Sequence, residues 1–312
     1  MGCRRTLATL FLIGLTAAAA PPISEALWIA PARRVIALTR EPRECFRVPV
    51  NREDAKLAFI GRAAFRAPLL LGGQAARAGL SCASCHRNGH GNPDFRFPGL
   101  SGADGTADVT SSLMSSSRGN GIFDPKPIPD LARDPPKISR DPKKPDLRNF
   151  IHGLVTEEFD GVEPPTRVLD GLTLYVRSLG GASCSATAVQ AITLASLFND
   201  ARAAVGSAQD AWKVGDAETA RLLVGAARST LRRIDERFAG PIFATSRARI
   251  ARSDQALFEI QRVIDARAAT MDGLVHALLG QTTIDEAYLH RLDTMSRFNP
   301  TVLSLSGKNA KP

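Results

Sequence analysis

The sequence predicts an all-α protein: a loop-rich N-terminal helical unit followed by an antiparallel helical bundle. Three observations carry this. Ala and Leu are abundant while aromatic residues make up only 6%, a composition that favours helix over sheet. Apolar residues recur at helical spacing in segment after segment beyond Arg52, with no sustained period-2 alternation to compete. A chain of 312 residues is long enough for roughly two domains of ordinary size.

The N-terminus reads as an export signal over residues 1–26. Arg4 and Arg5 form a short basic region, and Leu7 to Ala20 is an apolar run of 14 residues. That run is shorter than the ~20 residues a membrane span needs. Small residues follow, and cleavage after Ala26 is expected, because a cut after Ala20 would leave Pro21 first. The alternative is an uncleaved membrane anchor. Cys3 precedes the apolar run and is lost on cleavage. No stable membrane span is expected after cleavage, and the compartment expected is the periplasm.

Residues 27–183 form the first expected domain. Its opening, with Pro31, Pro42 and Pro49, is irregular. Asn51 then reads as a helix N-cap with Glu53 and Asp54 in the first turn, and Leu57, Ile60 and Ala64 share a face of a helix from Arg52 to Phe65. Pro68 and the Gly72–Gly73 pair end it. Residues 87–146 carry nine prolines and read as one long irregular stretch, with a short helix expected near Asp108–Ser116. A loop of that length is unusual inside a domain, unless it wraps a bulky group that supplies the core. Helices are expected again over Leu147–Val155 and Arg167–Leu179, the latter with Val168, Leu172, Tyr175, Val176 and Leu179 on one face.

A boundary is expected near Gly181–Ala186, with the bundle over 184–300. Its helices are predicted at Ala186–Trp212, Asp216–Phe238, Ser246–Met271 and from Thr283 or Asp285 to Phe298, joined by short breaks. Residues 301–312 read as a disordered tail.

The net charge is +9, and removal of Arg4, Arg5 and Glu25 leaves about +8. No basic run is interleaved with aromatics, so a nucleic-acid partner is not expected. A basic surface suits an acidic protein partner.

The chemistry concentrates in Cys82-Ala83-Ser84-Cys85-His86. Two thiols three positions apart on one helical turn are spaced to bond the two vinyl groups on one edge of a porphyrin. The next residue then presents an imidazole to the iron from the same side. A zinc site would need further ligands at matching spacing; His86 and His90 lie close, but without a second knuckle. A redox dithiol would need a βαβ context, which no strand pattern supplies. The motif reads as covalent haem c attachment through Cys82 and Cys85, with His86 as proximal iron ligand. It occurs once, so one haem per chain is expected. In an oxidising compartment Cys45 and Cys184 are left as a candidate disulfide.

The stretch from Gly61 through Phe65, Pro68 and Leu70 to Ser81, Cys82, Cys85 and His86 resembles the start of the haem domain of bacterial cytochrome c peroxidases and MauG-type proteins. Phe150, Gly153, Tyr175 and Leu179 are similar to the closing part of c-type cytochrome domains. The resemblance covers about residues 55–180 and implies a cytochrome c-like haem domain. This chain departs from it in two ways. The peroxidases carry two haems. Electron-transfer cytochromes place a Met shortly after the residue matched by Gly153, where this chain has Glu157-Glu158-Phe159.

The distal side is therefore open to several candidates. Met114, in the flexible loop, would give a closed electron carrier. His152 lies on the helix before the slot. His90 is too close to His86 to reach the opposite face easily, and His276 and His290 sit in the bundle. With no side chain on the iron, Glu158 would serve as acid/base, with Arg148 or Arg118 polarising a bound peroxide. The function expected is one-electron transfer by an exported monohaem c-type cytochrome with an acidic redox partner. The alternatives are a peroxidase-related haem enzyme and a partner-binding or assembly protein whose haem domain is accessory.

Overall fold

Helix makes up 58% of the computed structural model and strand 7%, so the protein is mostly helical, with a packed helical C-terminal region. The structure describes residues 22–180, 188–268 and 271–308. The expected boundary near Gly181–Ala186 and the C-terminal residues 309–312 lie outside them.

A short helix α1 (Arg34–Thr39) leads into strand β1 (Arg40–Pro42). Helix α2 (Arg52–Ala64) starts where its cap predicts: the Asn51 side chain accepts from the Glu53 and Asp54 N–H groups at 2.9 and 3.0 Å. One-turn helices α3 (Gly73–Arg77) and α4 (Cys82–Cys85) follow. The irregular stretch holds two small antiparallel pairs, β2 (His86–Arg87) with β3 (His90–Gly91) and β4 (Thr106–Ala107) with β5 (Lys126–Pro127). No helix forms at the expected Asp108–Ser116. The buried Asp108 carboxylate instead accepts from the Thr110 and Asp124 N–H groups, at 3.1 Å each, and holds turns.

Helices α5 (Asp146–Gly153) and α6 (Thr166–Arg177) complete the first half. Between them, 154–158 winds as one wider, π-type turn. Helix α6 crosses α2 where Gly61 meets Gly171. A Cβ on Gly61 would stand 1.9 Å from the Gly171 carbonyl oxygen, so the two backbones touch there.

The second half departs from the sequence expectation at its ends. Val189–Ala191, expected to be helical, form strand β6 paired with β1. Helix α7 (Leu194–Lys213) begins only at Thr193, which caps it by accepting from the Ser196 N–H. Helix α8 (Ala217–Asp235) is capped by Asp216 and α9 (Ala244–Asp265) follows. Helix α10 (Met271–His290) runs through the break expected before Thr283. Residues expected to be a disordered tail form helix α11 (Pro300–Lys308), because Leu303 finds an apolar surface to cover.

One apolar cluster runs from Ile60, Phe65, Leu172 and Tyr175 into Leu197, Phe198, Leu223 and Ile260, so α2 and α6 share a core with the bundle helices. A second cluster gathers Trp28, Leu38, Phe95, Leu100, Met114 and Leu303. The long stretch is thus ordered by burying its own apolar residues.

Residues ahead of the expected cleavage point after Ala26 are built into the fold. Ile23 is buried, and the Ser24 N–H donates to Glu236 at 2.9 Å. Glu25 pairs with Arg233 at 2.8 Å and with Arg237 at 3.2 Å, and the Arg237 side chain is completely buried. Burial alone would raise the Glu25 carboxyl, but Arg233 and Arg237 outweigh it and hold it at about 2. A cut after Ala26 would remove that carboxylate and leave a buried guanidinium without it. Among the described residues, no helix is long and apolar enough to cross a membrane.

Candidate functional site

The site is built around α4. Its turn is closed by two short-range bonds: the Ser81 N–H donates to Ser84 Oγ at 3.0 Å, and the Ser84 N–H donates to the Ser81 carbonyl at 2.9 Å. Cys82 and Cys85 therefore stand on one turn, and both pack against the apolar cluster of Trp28, Phe95 and Met114. The intervening Ala83 and Ser84 line a cavity of about 130 Å³ whose walls mix charged residues, Arg66, Arg87, Glu25 and Asp200, with apolar ones such as Trp28 and Leu197. Cys82 and Ala83 also pack against the larger cluster, so the turn sits between the two apolar clusters.

Cys82 and Cys85 are free thiols. Burial pushes both up to about 12, with Cys82 adding to the effect on Cys85. Protonated thiols are the opposite of the low-pKa thiolate a redox dithiol uses.

His86 follows directly. Its Nδ1 lies 3.0 Å from the Pro129 carbonyl oxygen. A carbonyl only accepts, so Nδ1 carries the proton and donates, and Nε2 keeps its lone pair. Burial pushes the imidazole down to about 4, well into its neutral form. The Phe65 ring sits 6.5 Å from the imidazole, centroid to centroid, and itself packs edge-on against Tyr175 at 5.2 Å. A neutral imidazole with a fixed tautomer and two protonated thiols on one apolar-facing turn form a donor set that suits covalently attached haem.

Behind the site a charged network ties the halves of the protein together. Glu44 accepts from the Tyr175 hydroxyl at 2.7 Å and from Arg62 at 2.7 Å, and pairs with Arg66 at 3.1 Å. Arg66 also donates to Asn88 at 2.8 Å, two residues after His86, and Arg62 reaches Asp200 of α7 at 2.7 Å. Burial acts to raise Glu44, but Arg66 and Arg62 prevail and hold it at about 2.

The distal candidates fall into two groups. Met114 is 1% exposed and lies in the cluster against which both cysteines pack. The residues after it are tied to the slot that holds no Met. Ser115 Oγ donates to the Glu157 carbonyl at 2.5 Å, the Ser116 N–H donates to Asp160 at 2.8 Å, and Arg118 pairs with Glu157. Glu158 is largely buried at 14% exposure and 3.7 Å from Arg118. Its Oε2 has no hydrogen-bond partner among the described residues, and burial raises its carboxyl.

The other candidates point elsewhere. His152 Nε2 binds Glu163 at 2.7 Å, and Arg148 binds Asp170 at 2.7 Å. His276 and His290 are exposed. His90 is buried, with Nδ1 2.9 Å from Asp130 and Nε2 3.8 Å from Cys45 Sγ. Cys45 is disulfide-bonded; Cys184, the partner expected from the sequence, lies outside the described residues. Among the described residues no group of three or more His, Cys, Asp or Glu side chains is arranged to hold a metal ion.

The residue that orients His86 was not visible in the sequence. Pro129 contributes a backbone carbonyl from 43 positions away, and a carbonyl leaves no side-chain signature. The dipeptide Pro129-Asp130 inside a proline-rich loop is the only trace.

No protein-family model, no curated protein and no solved structure matches the chain.

Proposed function

We propose that the chain is an exported monohaem c-type cytochrome that transfers single electrons to or from an acidic redox partner. The observation that carries the reading is the His86–Pro129 hydrogen bond beside the paired thiols. It fixes the tautomer that leaves Nε2 as an iron ligand, and it raises the basicity of that ligand. Cys82 and Cys85 would hold the porphyrin as thioethers, and His86 would bind its iron. When bound, haem supplies an iron that cycles between ferric and ferrous states. The apolar cluster of Trp28, Phe95 and Met114 excludes water from that side of the turn. Burial of Met114 in the same cluster supports it as the second axial ligand.

The test is production in a bacterial periplasm together with a haem c maturation system. Haem is expected to stay with the polypeptide through denaturing electrophoresis, and to be lost in the Cys82→Ser/Cys85→Ser double variant. A wild-type chain that carries no covalent haem would overturn the reading.

A second reading is favoured by Glu158. A carboxyl raised by burial, with one buried oxygen unpartnered and Arg118 3.7 Å away, is equipped to move a peroxide proton. On that reading the protein is a peroxidase-related haem enzyme. Ready cyanide binding by the ferric holoprotein would favour it, and a spectrum that does not respond to cyanide would dismiss it.

A further inference from the structure

The motif does not end at His86. The chain reverses at once through Asn88 (φ 50°) and Gly89 (φ 86°), the Asn-Gly pair that a tight two-residue hairpin turn requires. β2 and β3 pair His86 with Gly91 and Arg87 with His90. Residues opposite one another share a face, so His86 and His90 leave the hairpin on opposite faces.

Both side chains nonetheless engage the same short segment, at consecutive residues. His86 donates to the Pro129 carbonyl at 3.0 Å, and His90 Nδ1 lies 2.9 Å from the Asp130 carboxylate. The segment is also clamped by its backbone: the Leu131 N–H donates to Gly89 at 2.8 Å and the Ile128 N–H to Gly105 at 3.0 Å. At Gly91 the approach is so close that a Cβ would lie 2.6 Å from the Ile128 carbonyl oxygen. Asp130 itself is fixed, its second oxygen accepting from the Ala132 N–H at 2.8 Å. The far nitrogen of His90 rests 3.8 Å from the disulfide-bonded Cys45.

A strap clipped from both faces of a hairpin cannot slide along either. We propose that His90 and Asp130 are positioning residues for His86: their hydrogen-bonded contact sets where the Pro129 carbonyl stands, and so how strongly it draws on the His86 Nδ1–H. This rests on the haem reading. Neither residue touches the iron ligand. They act through one intervening backbone carbonyl, while the Asp130 charge also acts directly on the His86 imidazole; His90 itself is 2% exposed.

The consequence is a preference between oxidation states. A firm Nδ1–H···O bond gives the imidazole partial imidazolate character, which favours ferric iron. With the strap released the bond lengthens, and the ferrous state gains.

The experiment is redox titration of the holoprotein with covalent haem, alongside thermal unfolding. Asp130→Ala removes the acceptor. His90→Leu removes the donor at similar size, leaves the Asp130 charge in place, and so separates positioning from the direct effect of that charge: a shift confined to Asp130→Ala overturns the proposal. His90→Gln retains a donor toward Asp130. The expected result is a ferrous-to-ferric ratio about tenfold higher at fixed ambient potential for either removal, ~59 mV for one electron, with His90→Gln close to wild type. Removal variants that unfold at lower temperature but titrate like wild type assign the pair a structural role and overturn the proposal. A wild-type chain without covalent haem overturns the haem reading, and this inference with it; a haem-loaded wild type with unmoved variants overturns this inference alone.

Discussion

Gly61 and Gly171 meet backbone to backbone at the crossing of α2 and α6. A Cβ on Gly61 would stand 1.9 Å from the Gly171 carbonyl oxygen, and one on Gly171 would stand 2.6 Å from the Leu57 carbonyl oxygen. Neither neighbour is a side chain that can turn aside. The crossing brings Phe65 and Tyr175 into contact, and through Phe65 it supports the His86 ring.

Gly61→Ala is therefore expected to cost about 3 kcal/mol or more, at the upper end of overpacking effects. Gly206→Ala is the control. A Cβ there meets nothing within 4 Å inside α7, so that change is expected to stabilise by about 0.5–1 kcal/mol. Chemical denaturation of the two variants measures the contrast. Equal effects would show that the crossing has room.

Met114 separates two roles by substitution. Met114→Ala removes buried volume and is expected to cost about 2–5 kcal/mol. Met114→Leu nearly conserves volume and is expected to cost less than about 1.5 kcal/mol. If the thioether binds iron, both variants shift the ferric spectrum toward high spin and gain cyanide binding. An unchanged spectrum in Met114→Leu makes Met114 a packing residue only.

Acid unfolding reports on Glu44. Its carboxyl is held at about 2 in the fold, against an ordinary 4.5. The folded state therefore favours the charged form. The stability this contributes is complete above pH 4.5 and is lost as pH falls from there toward 2. A tenfold change in proton affinity is worth about 1.4 kcal/mol, which makes the contribution ~3 kcal/mol. Glu44→Gln is expected to lower stability by a similar amount at neutral pH and to flatten its fall between those pH values. Unfolding free energies measured from pH 7 down to 2 check both.

If the chain is exported and cleaved, the cut is expected ahead of Ile23. Glu25 faces Arg237, whose side chain has no exposed surface, and breaking such a pair costs about 3–5 kcal/mol. Mass spectrometry of the purified periplasmic protein reads the N-terminus directly, and Glu25→Gln should lower its thermal midpoint. A stable product beginning at Leu27 would contradict this.

The sequence and the structure agree where local rules suffice. Asn51 with Glu53 and Asp54 marks the start of α2, and the apolar stripe of Val168, Leu172 and Tyr175 marks α6. The motif stands on a single helical turn, Cys82–Cys85, as its spacing implies. What was not legible depends on partners distant in the chain. Val189–Ala191 leave a helical pattern because β1, some 150 positions earlier, offers a strand partner. Helix α10 was divided because Gly273 and Gly280 weaken its helical signal and its apolar residues do not keep to one stripe. Residues 301–308 read as tail because the surface that Leu303 covers is assembled from Trp28 and Leu38. Asp130 could not be singled out at all, since only the return of the 88–89 turn brings His90 to it.

Leu303, near one end of the chain, closes the same cluster as Trp28, near the other, and Cys82 and Cys85 pack against that cluster. This has a bearing on biogenesis. If a porphyrin bonds to those sulfurs, it must arrive while the cluster is still open, before α11 docks. On the haem reading, attachment would precede the last step of folding, and a chain not yet folded would be a better substrate for maturation than the finished protein. On that reading the C-terminal helix would be a latch that engages once the cofactor is in place.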